Sequence, residues 1–213
     1  MKIKRILLLS FAVLPLIVSL IALIFLPEEI PAHYGADLTV DRYGSKFEIL
    51  IFPFIILITG FIFLICAKFM KDESNQKITL NIGFAIILFF NALSDCLLYI
   101  QANNITDIQS FGLNRFLLLA FGILFIFIGN IMPMTRRNSF VGLRTKWSRK
   151  NDWVWKKCQI FGGVTMMIAG IVCCIFAFVY PELYIMIAVI LTVCLIDVVY
   201  TYFSAKNDVH EAD

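Results

Sequence analysis

Charge and histidine are what this chain has least of. Asp, Glu, Lys and Arg together make up 15% of its 213 residues against 61% hydrophobic residues. Mean hydropathy is +0.88, which excludes a soluble domain of this size. The only histidines are His33 and His210, so HExxH metalloprotease chemistry is excluded. No GxSxG elbow or phosphate-cradling loop occurs either. The paired glutamates of an intramembrane protease are missing too, since Glu28-Glu29 lie outside the apolar runs. A catalytic role therefore lacks its residues, and nothing points to a cofactor. Cysteine is confined to Cys66, Cys96, Cys158, Cys173, Cys174 and Cys194, all within or at the edge of apolar runs and with no CxxC pair. These read as packing thiols rather than a disulfide framework. Gly/Ser-rich linkers and low-complexity tracts are also absent, so one membrane domain is expected over 1–213, divided into a two-helix unit at 1–67 and a four-helix region at 79–203.

What is present is a set of runs of about 18 or more apolar residues, enough to cross roughly 30 Å of hydrocarbon. They fall at Ile6–Leu26, Ile49–Ala67, Thr79–Ile100, Phe116–Pro133, Cys158–Val179 and Leu183–Phe203. The expected fold is an all-α, polytopic bundle of six transmembrane helices. The first run is longer than a signal-peptide core and has no clear cleavage site, so it reads as a retained anchor. Fifteen Lys and Arg fall on one face of this topology and Arg42, Lys46 and Arg115 on the other. The positive-inside rule then places both termini and the long basic connection in the cytoplasm.

That connection carries Arg136, Arg137, Arg144, Lys146, Arg149, Lys150, Lys156 and Lys157. Phe140, Leu143 and Trp147 recur at spacings of three and four, which predicts a short helix along the inner headgroups, basic on one side and apolar on the other. Gly142 would bend it or allow a tight backbone approach. Asn151 is expected to cap a helix whose first turn holds Asp152, with Trp153 and Trp155 in an aromatic belt. The positive charge either enforces topology and binds anionic membrane lipids or forms a docking face for an acidic partner or headgroup. Charge alone leaves these open, and nucleic acid is not expected as a partner.

Gly129-Asn130, Pro133, Arg136, Asn138, Gly142-Leu143-Arg144-Thr145, Trp147, Val154-Trp155 and Gly162-Gly163 together resemble the signature of the SdpI family. These are integral membrane immunity proteins against a secreted bacterial killing peptide. The resemblance implies a multi-pass protein that protects the cell from an SdpC-type antimicrobial peptide. It also implies a toxin sensor that holds an SdpR-type transcriptional repressor at the membrane, with Asn130, Pro133, Arg136, Asn138, Gly142, Arg144, Trp147 and Trp155 as its cytoplasmic signature. The sequence departs from the family at Thr145-Lys146, where Thr-Pro is usual, and at Cys158-Gln159, where Thr-His is usual.

The first outer connection holds Ile30-Pro31, His33, Asp41-Arg42, Tyr43 and Gly44-Ser45-Lys46. It resembles a small domain of unknown function that often precedes the SdpI signature, except that Gly35 replaces a usual Asn and Leu38 a usual Gly. An ordered loop is expected in which His33 and Asp41 hydrogen-bond one another. Pro31, His33, Asp41, Arg42 and Lys46 would lie where a peptide arrives. One His with scattered carboxylates lacks metal-ligand spacing, so no metal site is expected.

Asp95 and Asp197 lie within apolar runs, at a cost of up to about 3 kcal/mol each at a helix centre. Asp95 is expected to face Arg115 at the outer edge, and Asp197 to face Asn130, Arg136, Arg137 or Arg144 at the inner edge. Asn91 and Ser94 suggest a small polar cavity beside Asp95. The sequence thus reads as an immunity protein, with a small permease using Asp95 and Asp197 as the alternative. Its Lys, Ile, Phe and Asn bias suits a low-GC Gram-positive bacterium.

Overall fold

In hydrocarbon only intrahelical bonding satisfies every backbone N–H and C=O of a lone segment, so each long apolar run must become a helix. The computed structural model describes residues 1–35 and 37–209, and His210 lies outside the described residues. Among the described residues six helices are long and apolar enough to cross a membrane: Lys2–Ala22, Lys46–Phe69, Glu73–Ala102, Leu113–Met134, Asp152–Val179 and Leu183–Lys206. In chain order the elements are α1 (Lys2–Ala22), β1 (Glu29–Tyr34), β2 (Val40–Ser45), α2 (Ile51–Phe69), α3 (Glu73–Ala102), the single turn α4 (Ile108–Phe111), α5 (Leu113–Ile131), α6 (Asp152–Val179) and α7 (Leu183–Lys206). Packing divides them into two compact units, Met1–Ile65 with Gly83–Leu113, and Cys66–Ile82 with the residues from Asn114 onward.

In the first unit α1 contains Pro15, which lacks an N–H and so leaves the carbonyl four residues earlier without its helical partner. That carbonyl belongs to Phe11, and Asn91 of α3 donates its Nδ2 to it at 3.0 Å. A buried amide in an apolar run is thereby explained by a proline far away in sequence. Ala12, Ile56 and Ile87 form a buried cluster around this point. A Cβ on Gly60 would lie 2.6 Å from that of Ala12, so α1 and α2 approach as closely as small residues allow.

The first outer connection is a two-stranded antiparallel hairpin, pairing Glu29 with Ser45, Ile30 with Gly44 and Pro31 with Tyr43. Leu26, Ile30 and Ile49 form the small core that seats it. Its turn is held from outside, because Val40 N donates to Thr106 O at 3.0 Å and Ile108 N to Leu38 O at 3.2 Å. Leu38 adopts φ +63°, the left-handed region where a family glycine would sit without strain. Leu38→Gly is expected to raise the stability of this unit by roughly 1 kcal/mol. Thermal unfolding of the purified chain checks this, and an unchanged or lower midpoint would refute it.

In the second unit α5 and α6 cross on glycine. A Cβ on Gly129 would lie 2.6 Å from Gly163 O, and one on Gly170 would lie 2.5 Å from Gly122 O. Helix backbones touch at two points two turns apart, the arrangement that drives association where lipid removes the hydrophobic incentive. Leu118, Cys173 and Ala177 are buried beside this crossing. Arg115 finds its partner within its own unit, its Nε donating to Ala177 O at 3.1 Å. All six cysteines are free thiols.

Candidate functional site

The basic connection does not form the expected amphipathic helix. After the 3-10 turn Met132–Met134 the chain runs irregularly to Asn151, where α6 starts. The threefold and fourfold spacing of Phe140, Leu143 and Trp147 instead reflects packing of single side chains. The reason is that polar side chains capture the backbone before helical bonds can form. Asn138 accepts from Phe140 N and Val141 N, each at 2.8 Å, and donates to Arg136 O and Val141 O. Thr145 and Ser148 exchange reciprocal bonds, each backbone N–H donating to the other's hydroxyl at 2.9 Å. Gly142 adopts φ +101°, which also breaks a helix.

Two side-chain amides fix the segment. Buried Gln159 of α6 accepts from Leu143 N at 2.9 Å and donates to Leu143 O at 3.0 Å. Buried Asn75 of α3 does the same for Arg136, accepting from its N at 3.0 Å and donating to its O at 3.2 Å. Each amide occupies both hydrogen-bonding groups of one residue, as a neighbouring strand would. Gly142 lies directly against the first clamp, with space for a Cβ only 2.5 Å from Gln159 Oε1. Trp155 is not a belt residue: its ring is buried and its Nε1 donates to Thr135 O at 2.9 Å, closing the start of the segment. Asn151 caps α6 as expected, accepting from Val154 N at 2.9 Å.

The eight cations divide into two sets. Arg136 pairs with Asp72 at 2.8 Å, Arg137 with Asp152 at 2.8 Å and Lys150 with Asp208 at 3.2 Å. The other five meet carbonyls, hydroxyls or rings. Arg144 donates to Ser139 O, Arg149 reaches Ser139 Oγ at 3.5 Å and Lys156 donates to Pro133 O at 2.7 Å. Lys146 lies 5.0 Å from the Trp147 ring and Lys157 lies 3.8 Å from that of Trp153. Trp147 also packs edge-on against Tyr202 of α7, centroids 5.4 Å apart. Pro133 lines the approach of Gly163, while Asn130 is exposed on α5.

Asp197 does not reach the arginines or Asn130. It is buried on α7 and accepts from Thr165 Oγ1 of α6 at 2.8 Å, with Gly162 leaving room for the carboxylate beside the helix. Its role in this geometry is to join α6 and α7.

On the hairpin the structure brings His33 and Asp41 together, Nδ1 to Oδ1 at 2.6 Å. Arg42 forks onto Glu48 at 3.1 and 2.9 Å, which raises the arginine pKa first through these hydrogen bonds and then through charge. Lys46 pairs with Glu28 at 2.9 Å, and Pro31 O accepts from Gln101. Asp107 caps α4 by accepting from Gln109 N and Ser110 N, and its bonds to Ser110 pull its carboxyl below the ordinary range. A cavity of about 50 Å³ lies beside Ser94, bordered by Ser19, Glu48 and Gln101. Asp95 faces a larger groove. Among the described residues no group of three or more His, Cys, Asp or Glu could hold a metal ion.

Gln159, Asn75, Asp72 and Ser148 were not singled out by the sequence as parts of this arrangement. Gln159 and Asn75 carried a signal all the same, as amides at the cytoplasmic ends of apolar helices where nothing else demands one.

Six helices long and apolar enough to cross a membrane, with a hairpin in the first unit and a side-chain-clamped basic connection in the second, define a multi-pass cell-membrane protein. Residues 134–201, covering the connection, α6 and most of α7, match the SdpI/YfhL protein family, and residues 11–57 match a domain of unknown function, DUF1648. Over the first of these segments the chain is similar to the SdpI family. It is 27% identical over 192 residues to the immunity protein SdpI of Bacillus subtilis (strain 168), covering 88% of each chain. No solved structure matches significantly.

Proposed function

We propose that this protein is a non-enzymatic membrane immunity protein that protects a bacterial cell from a secreted killing peptide of the SdpC type. The observation that carries this reading is the similarity to an immunity protein along 88% of both chains. The peptide would be met from the outer leaflet, by the hairpin residues Pro31, His33, Asp41, Arg42 and Lys46 and the adjoining helix ends. The cytoplasmic connection would serve as the latch of the second unit and as a signalling surface. Arg144, Lys146, Arg149, Lys156 and Lys157, which meet no carboxylate among the described residues, suit an acidic repressor of the SdpR type or anionic headgroups.

The test is survival of a toxin-sensitive Gram-positive strain expressing the chain and challenged with an SdpC-type peptide. Wild type should protect, whereas Asn130→Ala and Arg144→Ala at equal membrane abundance should survive at least about tenfold less well. A fluorescent repressor in the same cells reports the signalling half, and should leave the membrane in the Arg144 variant. Failure of well-expressed wild type to protect would sink the immunity reading.

A further inference from the structure

A groove of about 480 Å³ opens at the outer end of the first unit, between the turn that follows α1 and the last two turns of α3. Ala22, Phe25 and Leu26 form one wall and Leu98 and Tyr99 the other, with Asp95 at the inner end. Residues 95, 98, 99 and 102 follow the spacing of one helix face, so the carboxylate and the apolar wall belong to one surface. The volume lies in the ordinary range of small-ligand sites.

Asp95 is exposed in this groove, about 10 Å along the helix from the end of α3. At that depth a carboxylate without a countercharge is costly, and it marks a place where a partner belongs. The outer cations of this unit do not supply one, because Arg42 is engaged by Glu48 and Lys46 by Glu28. The other outer aspartates are occupied: Asp41 by His33, Asp37 by Thr39 and Asp107 by its cap. Phe25 in its wall is 80% exposed.

We propose that this groove binds a cationic amphipathic peptide, seating a lysine or arginine side chain with its charge on Asp95 and its methylene stem along Leu98 and Tyr99. A long basic side chain is matched to the site at both ends, because its stem is apolar and its tip reaches a charge below the surface. For the identity of the occupant the proposal rests on the immunity reading, but its chemistry stands on the groove alone.

Full-length protein in zwitterionic nanodiscs would be titrated with a fluorescent lysine–leucine amphipathic peptide and with the same peptide acetylated on every lysine, against empty nanodiscs. Wild type should bind the charged peptide at least about tenfold more tightly than the acetylated one. Asp95→Asn should reduce that preference to near unity, and Asp95→Glu should keep most of it. Equal binding of the charged peptide by wild type and Asp95→Asn would overturn the proposal, as would wild type that does not distinguish the two peptides. Survival of the same variants separates the two readings. Asp95-dependent binding by a wild type that fails to protect would leave the groove standing without immunity, whereas protection with Asp95-independent binding would leave immunity standing without the groove.

Discussion

Gly142→Ala should cost about 2–3 kcal/mol of stability and loosen the whole basic connection. Two effects add. A non-glycine residue held at φ +101° is strained by roughly 1–2 kcal/mol. The new Cβ would also lie 2.5 Å from Gln159 Oε1, an atom that cannot withdraw without giving up its bond from Leu143 N. A lost hydrogen bond of this kind contributes about 1 kcal/mol. The change should appear as a lower thermal midpoint in detergent and faster proteolysis between residues 136 and 150. Combining it with Gln159→Ala should cost less than the sum of the two single changes, because both remove the same clamp. A midpoint within experimental error of wild type would show that the loop does not depend on the approach.

The second large effect is expected at the helix crossing. Gly163→Val places a branched side chain where Gly129 O lies 2.6 Å and Pro133 Cδ 3.0 Å from the first added carbon. Neither can yield easily, since one is helix backbone and the other a ring. Overpacking costs about 1–3 kcal/mol in a tolerant core. Here α5 and α6 must separate, which also displaces Pro133 from the start of the basic connection. The variant should accumulate poorly in membranes and denature earlier in an SDS titration. Gly163→Ala should follow in the same direction with a smaller effect. Wild-type accumulation and denaturation of Gly163→Val would contradict the crossing.

The spans were legible because crossing a membrane imposes one rule on every residue of a run, and hydropathy records it directly. The cap at Asn151 was legible for a similar reason, since its partner Val154 is three residues away. The clamps were not: Gln159 acts across 16 residues and Asn75 across 61, and no local pattern encodes such a distance. The helix expected through Phe140, Leu143 and Trp147 failed because side chains as well as helices can generate that spacing. The hairpin was missed because Pro31 and the irregular pairing near His33 interrupt the alternation by which a strand is recognised. Asp197 was misassigned because charge suggested an arginine where a threonine hydroxyl sufficed.

The bond from Asn91 to Phe11 O also bears on biogenesis. Translation delivers α1 to the insertion machinery well before α3, and during that interval Pro15 leaves the Phe11 carbonyl facing lipid with no donor. An unsatisfied carbonyl there costs several kcal/mol, so the first helix carries a backbone defect that the third repairs. The two helices therefore depend on one another in the folded unit although α2 lies between them in the chain.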